Sequence, residues 1–201
     1  MEKLENYERL SLNQITTNQW NLKEAVEGCA RAEISWIGLW RNKIAEFGVK
    51  NSRKLLKDAG VKVTSVIRGG LFPALSAVER QKKLDENRRA IEEAAELGAE
   101  VLVIVAGGLP DRDIDSSRKW VSEGIAQLVP YAQSHGVKLG IEPLHPMFAA
   151  DRSVIVTLAQ ANEIAKAYHP DQVGVVVDVY HVWWDPDLYN QISIAGEHIL
   201  L

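Results

Sequence analysis

The sequence predicts an α/β protein of the (β/α)8 TIM barrel class, of which about six to seven βα units are present. Short apolar runs alternate with longer amphipathic segments along all 201 residues, as expected for helices packed around a parallel sheet. Three of these segments end at a glycine that leads directly into an apolar run, at Gly60, Gly98 and Gly136. An unbroken series of such units favours a barrel, although the pattern alone leaves a doubly wound sheet open.

The apolar runs predict the strands, because strands buried on both faces are continuous runs of Val, Ile and Leu. They occupy residues 11–15, 34–40, 61–67, 101–106, 137–141 and 173–177, and residues 199–201 resemble the start of a seventh strand. Asn21 is expected to cap a helix that buries Leu22, Ala25, Val26 and Cys29. Further helices are predicted over residues 52–59, 77–97, 116–135 and 153–168. Since no linker divides the chain, we expect one domain over residues 1–201.

The amino-acid composition argues against several classes of function. A net charge of -4 argues against wrapping a nucleic-acid backbone. Cys29 is the single cysteine, which excludes an intrachain disulfide and fits a cytoplasmic location. The charged segment 1–10 lacks the apolar core of a signal peptide, and the run 101–106 is too short to span a membrane. We therefore expect a cytoplasmic protein with neither a nucleic-acid nor a membrane partner, while homo-oligomer formation stays open.

Functional groups of a TIM barrel cluster where strands end and βα loops begin. The candidates at these positions are Asn13, Trp40, Arg68, Glu142, His145, Asp178 and His181. Glu142 and Asp178 follow apolar runs directly and occupy equivalent positions on successive strands. A carboxylate at the mouth of a buried strand is costly unless it is paired, hydrogen-bonded or metal-bound.

These two carboxylates indicate a divalent-metal site, because Mg²⁺ and Mn²⁺ prefer oxygen ligands and an added histidine admits Zn²⁺ or Co²⁺. His181 lies three residues beyond Asp178 and can turn toward the same pocket. Other interpretations stay open at this point. Glu142 could form a structural ion pair, Asp178 could cap the following loop, and His145 could serve only loop packing.

The segments Gly-Ile-Glu-Pro-Leu-His-Pro at 140–146 and Val-Val-Val-Asp-Val-Tyr-His-Val-Trp at 175–183 resemble the xylose-isomerase-like TIM barrel superfamily of sugar phosphate isomerases and epimerases. The resemblance implies that Glu142 is a metal ligand and an acid/base group, that Asp178 is a metal ligand, and that His181 contacts a substrate oxygen. It also implies a small sugar or keto acid as substrate, with proton transfer next to its carbonyl through an enediolate. His145, Arg68, Trp40 and Asn13 complete the expected substrate-binding set.

The resemblance also implies a metal-binding histidine on strand seven and a glutamate on strand eight, and a full barrel needs roughly 250 residues. We therefore expect a C-terminally truncated barrel that is inactive or weakly active by itself. His198 precedes the last apolar run and is not assigned as a ligand. One rival is an endonuclease IV-like DNA repair enzyme, which needs several more histidines and a basic face. The other is a non-catalytic barrel fragment.

Overall fold

The computed structural model describes residues 7–201 and contains a six-stranded parallel sheet in the order β1 to β6. The strands are β1 (Ser11–Asn13), β2 (Trp36–Trp40), β3 (Lys62–Gly70), β4 (Val101–Val105), β5 (Lys138–Glu142) and β6 (Val173–Val175). Every neighbouring pair is parallel. A doubly wound sheet reverses its strand order at a switch point, so that alternative is wrong. The α/β barrel prediction is confirmed, with a sheet that is not closed among the described residues.

The predicted start of a seventh strand also pairs as expected. Ile199 forms a parallel bridge with Val175, and the Leu200 amide donates to the Val175 carbonyl at 2.9 Å. The Val177 amide donates to the Leu201 carbonyl at 3.0 Å. Residues 1–6, on which the signal-peptide prediction partly depends, lie outside the described residues. Among residues 7–201, no helix combines the length and apolarity required to cross a membrane.

Eight α-helices connect and flank the strands within the described part of the chain. They are α1 (Leu22–Arg31), α2 (Arg41–Phe47), α3 (Val49–Ala59), α4 (Ala77–Glu96), α5 (Ile114–Ser134), α6 (Leu158–Ala165), α7 (Val179–Val182) and α8 (Leu188–Ala195). The sequence did not predict α2, α7 or α8. The helix predicted at 153–168 begins only after Thr157, because Ser153 bridges to Gly107 and the Val154 amide donates to the Gly107 carbonyl.

Local chemistry explains where the predicted helices start and stop. The Asn21 side chain accepts from the Glu24 amide and the Glu24 side chain accepts from the Asn21 amide, which is a complete capping box. Gly60, Gly98 and Gly136 all have φ values of 68° or 69°. A side chain is strained in this left-handed conformation, so glycine allows each helix to end and the next strand to begin.

Two apolar layers position the site. The main core lies between the sheet and the helices, where side chains such as Ile37, Leu102 and Ile125 are fully buried. A second cluster of Ile67, Val103 and Val176, with Trp40 packed against it, is separate from this main core. Burial of one such side chain stabilises the fold by roughly 1.5–3 kcal/mol.

The end of β3 is held by a buried polar side chain of α4. The Asn87 Oδ1 accepts from the Gly70 amide at 2.5 Å, and its Nδ2 donates to the Gly70 carbonyl at 2.8 Å. The same Nδ2 also donates to the Lys83 carbonyl. Asn87 is 2% exposed, so these bonds fix the chain two residues after Arg68 without competition from water.

Candidate metal and substrate site

A cavity of about 530 Å³ lies at the carboxyl ends of the strands. This is within the range of small-molecule pockets in proteins. Six of the seven predicted site residues line it, namely Asn13, Trp40, Arg68, Glu142, Asp178 and His181. The other lining residues are Ile15, Thr16, Ile67, Val105, Leu144, Phe148, Arg152 and Tyr180. The topology therefore brings side chains from both ends of the chain to one pocket.

Glu142 is the last residue of β5 and lies opposite Val105 in the strand register. Burial, followed by the nearby negative charge of Asp178, raises its pKa from 4.5 to about 7. No hydrogen bond or ion pair within residues 7–201 involves its carboxylate. The interpretation of Glu142 as a member of a structural ion pair is therefore wrong for the described chain.

Asp178 follows β6 and is the N-cap residue of α7. Its Oδ1 accepts from the Tyr180 amide at 2.9 Å, which confirms that it caps the following loop. This bond uses one carboxylate oxygen, and the second oxygen makes no described hydrogen bond. The residue also lines the cavity with Glu142, so capping and cation binding are compatible for the same side chain.

The ring of His181 is oriented by the backbone of the β5 loop. Its Nδ1 faces the amide of His145 at 3.3 Å, and this amide can only donate. The neutral ring therefore carries its proton on Nε2. Burial lowers the pKa of His181 and exceeds the opposing effect of Asp178, so the ring is neutral at physiological pH and offers an N–H donor.

His145 does not line the cavity. Its own Nδ1 accepts from the Met147 amide at 3.2 Å, in the short 3-10 turn Pro146–Phe148. His145 is therefore not placed to contact a substrate in the cavity as expected. It lies beside His181, whose Nδ1 is contacted by the His145 amide. The loop-packing interpretation describes this geometry better.

The side chains of Asn13 and Trp40, at the ends of the neighbouring strands β1 and β2, are hydrogen-bonded to each other and line one side of the cavity. The Trp40 Nε1 donates to the Asn13 Oδ1 at 2.9 Å, and the Trp40 amide donates to the Gln14 Oε1 at 3.0 Å. The indole is therefore held in one orientation at the edge of the cavity. Arg41, the next residue, contacts Glu86 and Glu93 of α4 instead and does not line the cavity.

Sequence reasoning missed Arg152 and Phe148, which line the cavity from the loop between β5 and α6. Both lie on the loop that follows the strand carrying Glu142, which was the available signal. The sequence predicts a helix directly after Arg152, at 153–168, so the length of this loop and its return to the pocket were not expected.

The donor set fits a divalent cation in its chemistry. Two carboxylates share the cavity, the charge of one raises the pKa of the other, and neither has a cationic partner among the described residues. A hard divalent cation relieves this repulsion through oxygen ligands. The described residues contain no group of three or more His, Cys, Asp or Glu side chains arranged to hold a metal, so Glu142 and Asp178 supply only part of a coordination shell.

Comparisons with known proteins identify the family and agree with the fold. A family model described as xylose isomerase-like TIM barrel matches residues 24–200. The crystal structure of protein SMc04130 from Sinorhizobium meliloti 1021 has a TM-score of 0.93 and 50% identity, covering 97% of this chain and 72% of that one. No curated protein matches the sequence.

Two more distant solved structures share the fold. A structure of IOLI protein with a bound zinc atom has a TM-score of 0.82 and 21% identity, covering 94% of this chain and 70% of that one. A D-psicose 3-epimerase structure determined in the presence of D-fructose has a TM-score of 0.78 and 19% identity. It covers 94% of this chain and 70% of that one. At these identities, the similarity concerns the fold.

Proposed function

Because the chain belongs to the xylose isomerase-like TIM barrel family, we propose that it contributes the metal-binding part of a sugar isomerase or epimerase. The single observation that carries the proposal is the shared cavity of Glu142 and Asp178, in which the pKa of Glu142 is raised to about 7. Perturbed carboxylates in a concave pocket are typical of acid/base sites. The proposed substrate is a small sugar or a related keto or hydroxy compound.

Glu142 and Asp178 would hold the cation, which can be Mn²⁺, Mg²⁺, Co²⁺ or Zn²⁺. When bound, such a cation supplies positive charge beside the carbonyl oxygen of a substrate. Glu142 ends the paired strand β5, and the Asp178 carboxylate accepts from the Tyr180 amide, so both ligands are held in place before a cation arrives. His145 would not supply a further ligand, because it does not line the cavity.

Glu142 would transfer the proton at the carbon next to the carbonyl. The pKa of Glu142 is about 7 in the metal-free chain, and a bound cation would lower it, so that Glu142 would be ionised and able to accept the proton. His181 would donate its Nε2–H to a substrate oxygen, because its Nδ1 is occupied by the His145 amide. The Trp40 indole and the apolar side chains of Ile67 and Leu144 would exclude water from the reacting carbon.

A two-base epimerase also needs a carboxylate on the opposite face of the substrate. Glu142 and Asp178 are the carboxylates that line the cavity within the described residues. We therefore propose that the 201-residue chain by itself turns over ketoses slowly or not at all. Its measurable property would be cation binding.

Titration with Mn²⁺, followed by calorimetry or by the electron paramagnetic resonance of free Mn²⁺, tests this proposal directly. Asp178→Asn should weaken Mn²⁺ binding by about tenfold or more, because a charged oxygen ligand is lost. Asp171→Asn is the matched control, since Asp171 is exposed and pairs with Lys138 at the opposite end of the strands. Equal Mn²⁺ affinity in both variants would contradict the proposed site.

The endonuclease IV-like alternative has less support from the arrangement of histidines. His181 is the histidine that lines the cavity in the described chain. His198 bonds the Tyr168 carbonyl, His135 faces the Tyr131 carbonyl, and His169 faces Asp171, all away from the pocket. The non-catalytic alternative leaves unexplained why two unneutralised carboxylates share one cavity, since such a pair opposes folding.

A further inference from the structure

Arg68 reaches the cavity through an irregularity in β3. Ile67 pairs with Val103 and Gly69 pairs with Ile104, so Arg68 is an extra residue in the ladder between β3 and β4. An extra residue of this kind redirects a side chain, and such bulges are frequent beside functional sites. The Arg68 side chain lines the cavity and forms no hydrogen bond or ion pair within residues 7–201. Its charge is therefore available to a ligand.

Arg152 approaches the same cavity from the β5–α6 loop. Its guanidinium lies over the Phe148 ring at 4.4 Å from the ring centroid. Its backbone is fixed on both sides, because its amide donates to the Phe148 carbonyl at 2.9 Å and its carbonyl accepts from Gly107 at 3.0 Å. Stacking on a ring holds a guanidinium flat and leaves its edge N–H groups free for a planar anion.

The ion pair that Arg152 forms with Asp151 is weak. Its Nε is 3.6 Å from the Asp151 carboxylate, and both side chains are more than half exposed. Such an exposed pair contributes little. Neither Arg68 nor Arg152 forms an ion pair with Glu142 or Asp178 among the described residues, although all four line one cavity. The pocket thus has separate acidic and basic groups.

The balance of charge in the cavity changes when a cation binds. A divalent cation cancels the charges of Glu142 and Asp178, and two positive guanidinium groups then remain. A neutral sugar would leave both of these charges to water alone, because Arg68 and Arg152 are exposed at the mouth of the cavity. A ligand with an anionic group would pair with them through bidentate hydrogen bonds, which are among the strongest polar contacts in proteins.

We propose that the cavity recognises a substrate bearing a phosphate or carboxylate group, which Arg68 and Arg152 bind while the carbonyl end of the substrate faces Glu142 and Asp178. This extends the proposed function by naming the substrate class as anionic. The two arginines are specificity-determining residues in this proposal. They take no part in proton transfer.

Calorimetric titration with matched ligands tests the proposal. The probes are D-fructose 6-phosphate against D-fructose, and D-glucuronate against D-glucose, each with metal-free and Mn²⁺-loaded protein. We expect each anionic probe to bind about tenfold or more tightly than its neutral match, more strongly so with Mn²⁺, and less so at high salt. The tighter of the two anionic probes identifies phosphate or carboxylate as the preferred group.

The variant that carries the test is Arg68→Gln combined with Arg152→Gln. It should lose most of the preference for the anionic probes and should keep the Mn²⁺ affinity of the unmodified chain, which also shows that it is folded. Arg53→Gln is the matched control, because Arg53 is exposed on α3 beside the starting ends of the strands. This variant should keep the full preference.

The proposal is overturned if anionic and neutral probes bind equally, if no anionic probe binds, or if the double variant keeps the preference. These results are distinct from failure of the metal site. A chain that binds anionic probes through the arginines but does not bind Mn²⁺ would refute the proposed function and support the anion site. A chain that binds Mn²⁺ without any preference for anionic probes would refute the anion site and support the proposed function.

Discussion

Replacement of Glu142 by glutamine should stabilise the metal-free protein at high pH and leave it nearly unchanged at low pH. The pKa of Glu142 is about 7 in the folded chain and 4.5 ordinarily. The folded state therefore holds this proton more tightly than the unfolded state does. Any stability linked to this group is complete below pH 4.5 and is lost as the pH rises to 7.

The size of the effect follows from the same values. A shift from 4.5 to about 7 corresponds to about 3 kcal/mol at most, since one pKa unit is about 1.4 kcal/mol. Glutamine has nearly the same shape and no charge, so Glu142→Gln avoids this cost. At pH 8 we expect a gain of up to about 3 kcal/mol, or roughly 6–12 °C in Tm for a chain of this size.

Urea denaturation and thermal melts between pH 4.5 and pH 8, with a chelator present, measure this effect. Glu100→Gln is the matched control, because Glu100 is exposed at the opposite end of β4. Addition of Mn²⁺ should then stabilise the unmodified chain and not Glu142→Gln. A difference between Glu142→Gln and the unmodified chain that stays constant with pH, or that favours the unmodified chain at pH 8, would refute the reasoning.

Two further predictions concern the scaffold around the site. Asn87→Ala should lower the free energy of unfolding by about 2–4 kcal/mol, because the Gly70 backbone groups lose their partners in a buried position. Urea denaturation measures this loss beside the exposed control Asn190→Ala. Equal losses in the two variants would contradict the prediction. Gly136→Ala should cost about 1–2 kcal/mol through its φ of 69° alone, since no atom lies within 4 Å of an added Cβ. The same denaturation experiment applies, and a stabilised Gly136→Ala variant would show that the left-handed turn is not required.

Much of the fold could be predicted because its signals are local. Each of the six apolar runs predicted as strands overlaps an observed strand, and Gly60, Gly98 and Gly136 end their helices as expected. The helix predicted at 153–168 was too long because Ser153 and Val154 bond to Gly107, a residue far away in the chain. Contacts of this kind leave no periodicity in the sequence.

The sequence by itself determined which residues stand at the carboxyl ends of the strands, including Glu142 and Asp178, because a carboxylate directly after an apolar run is recognisable without coordinates. Only the tertiary structure decided what their neighbours do. Arg41 pairs with Glu93 of α4 and does not line the cavity. His145 contacts His181 through its backbone amide, and Arg152 lines the cavity from a loop. The physical reason is that strand position follows from local burial, whereas side-chain direction depends on packing between distant segments.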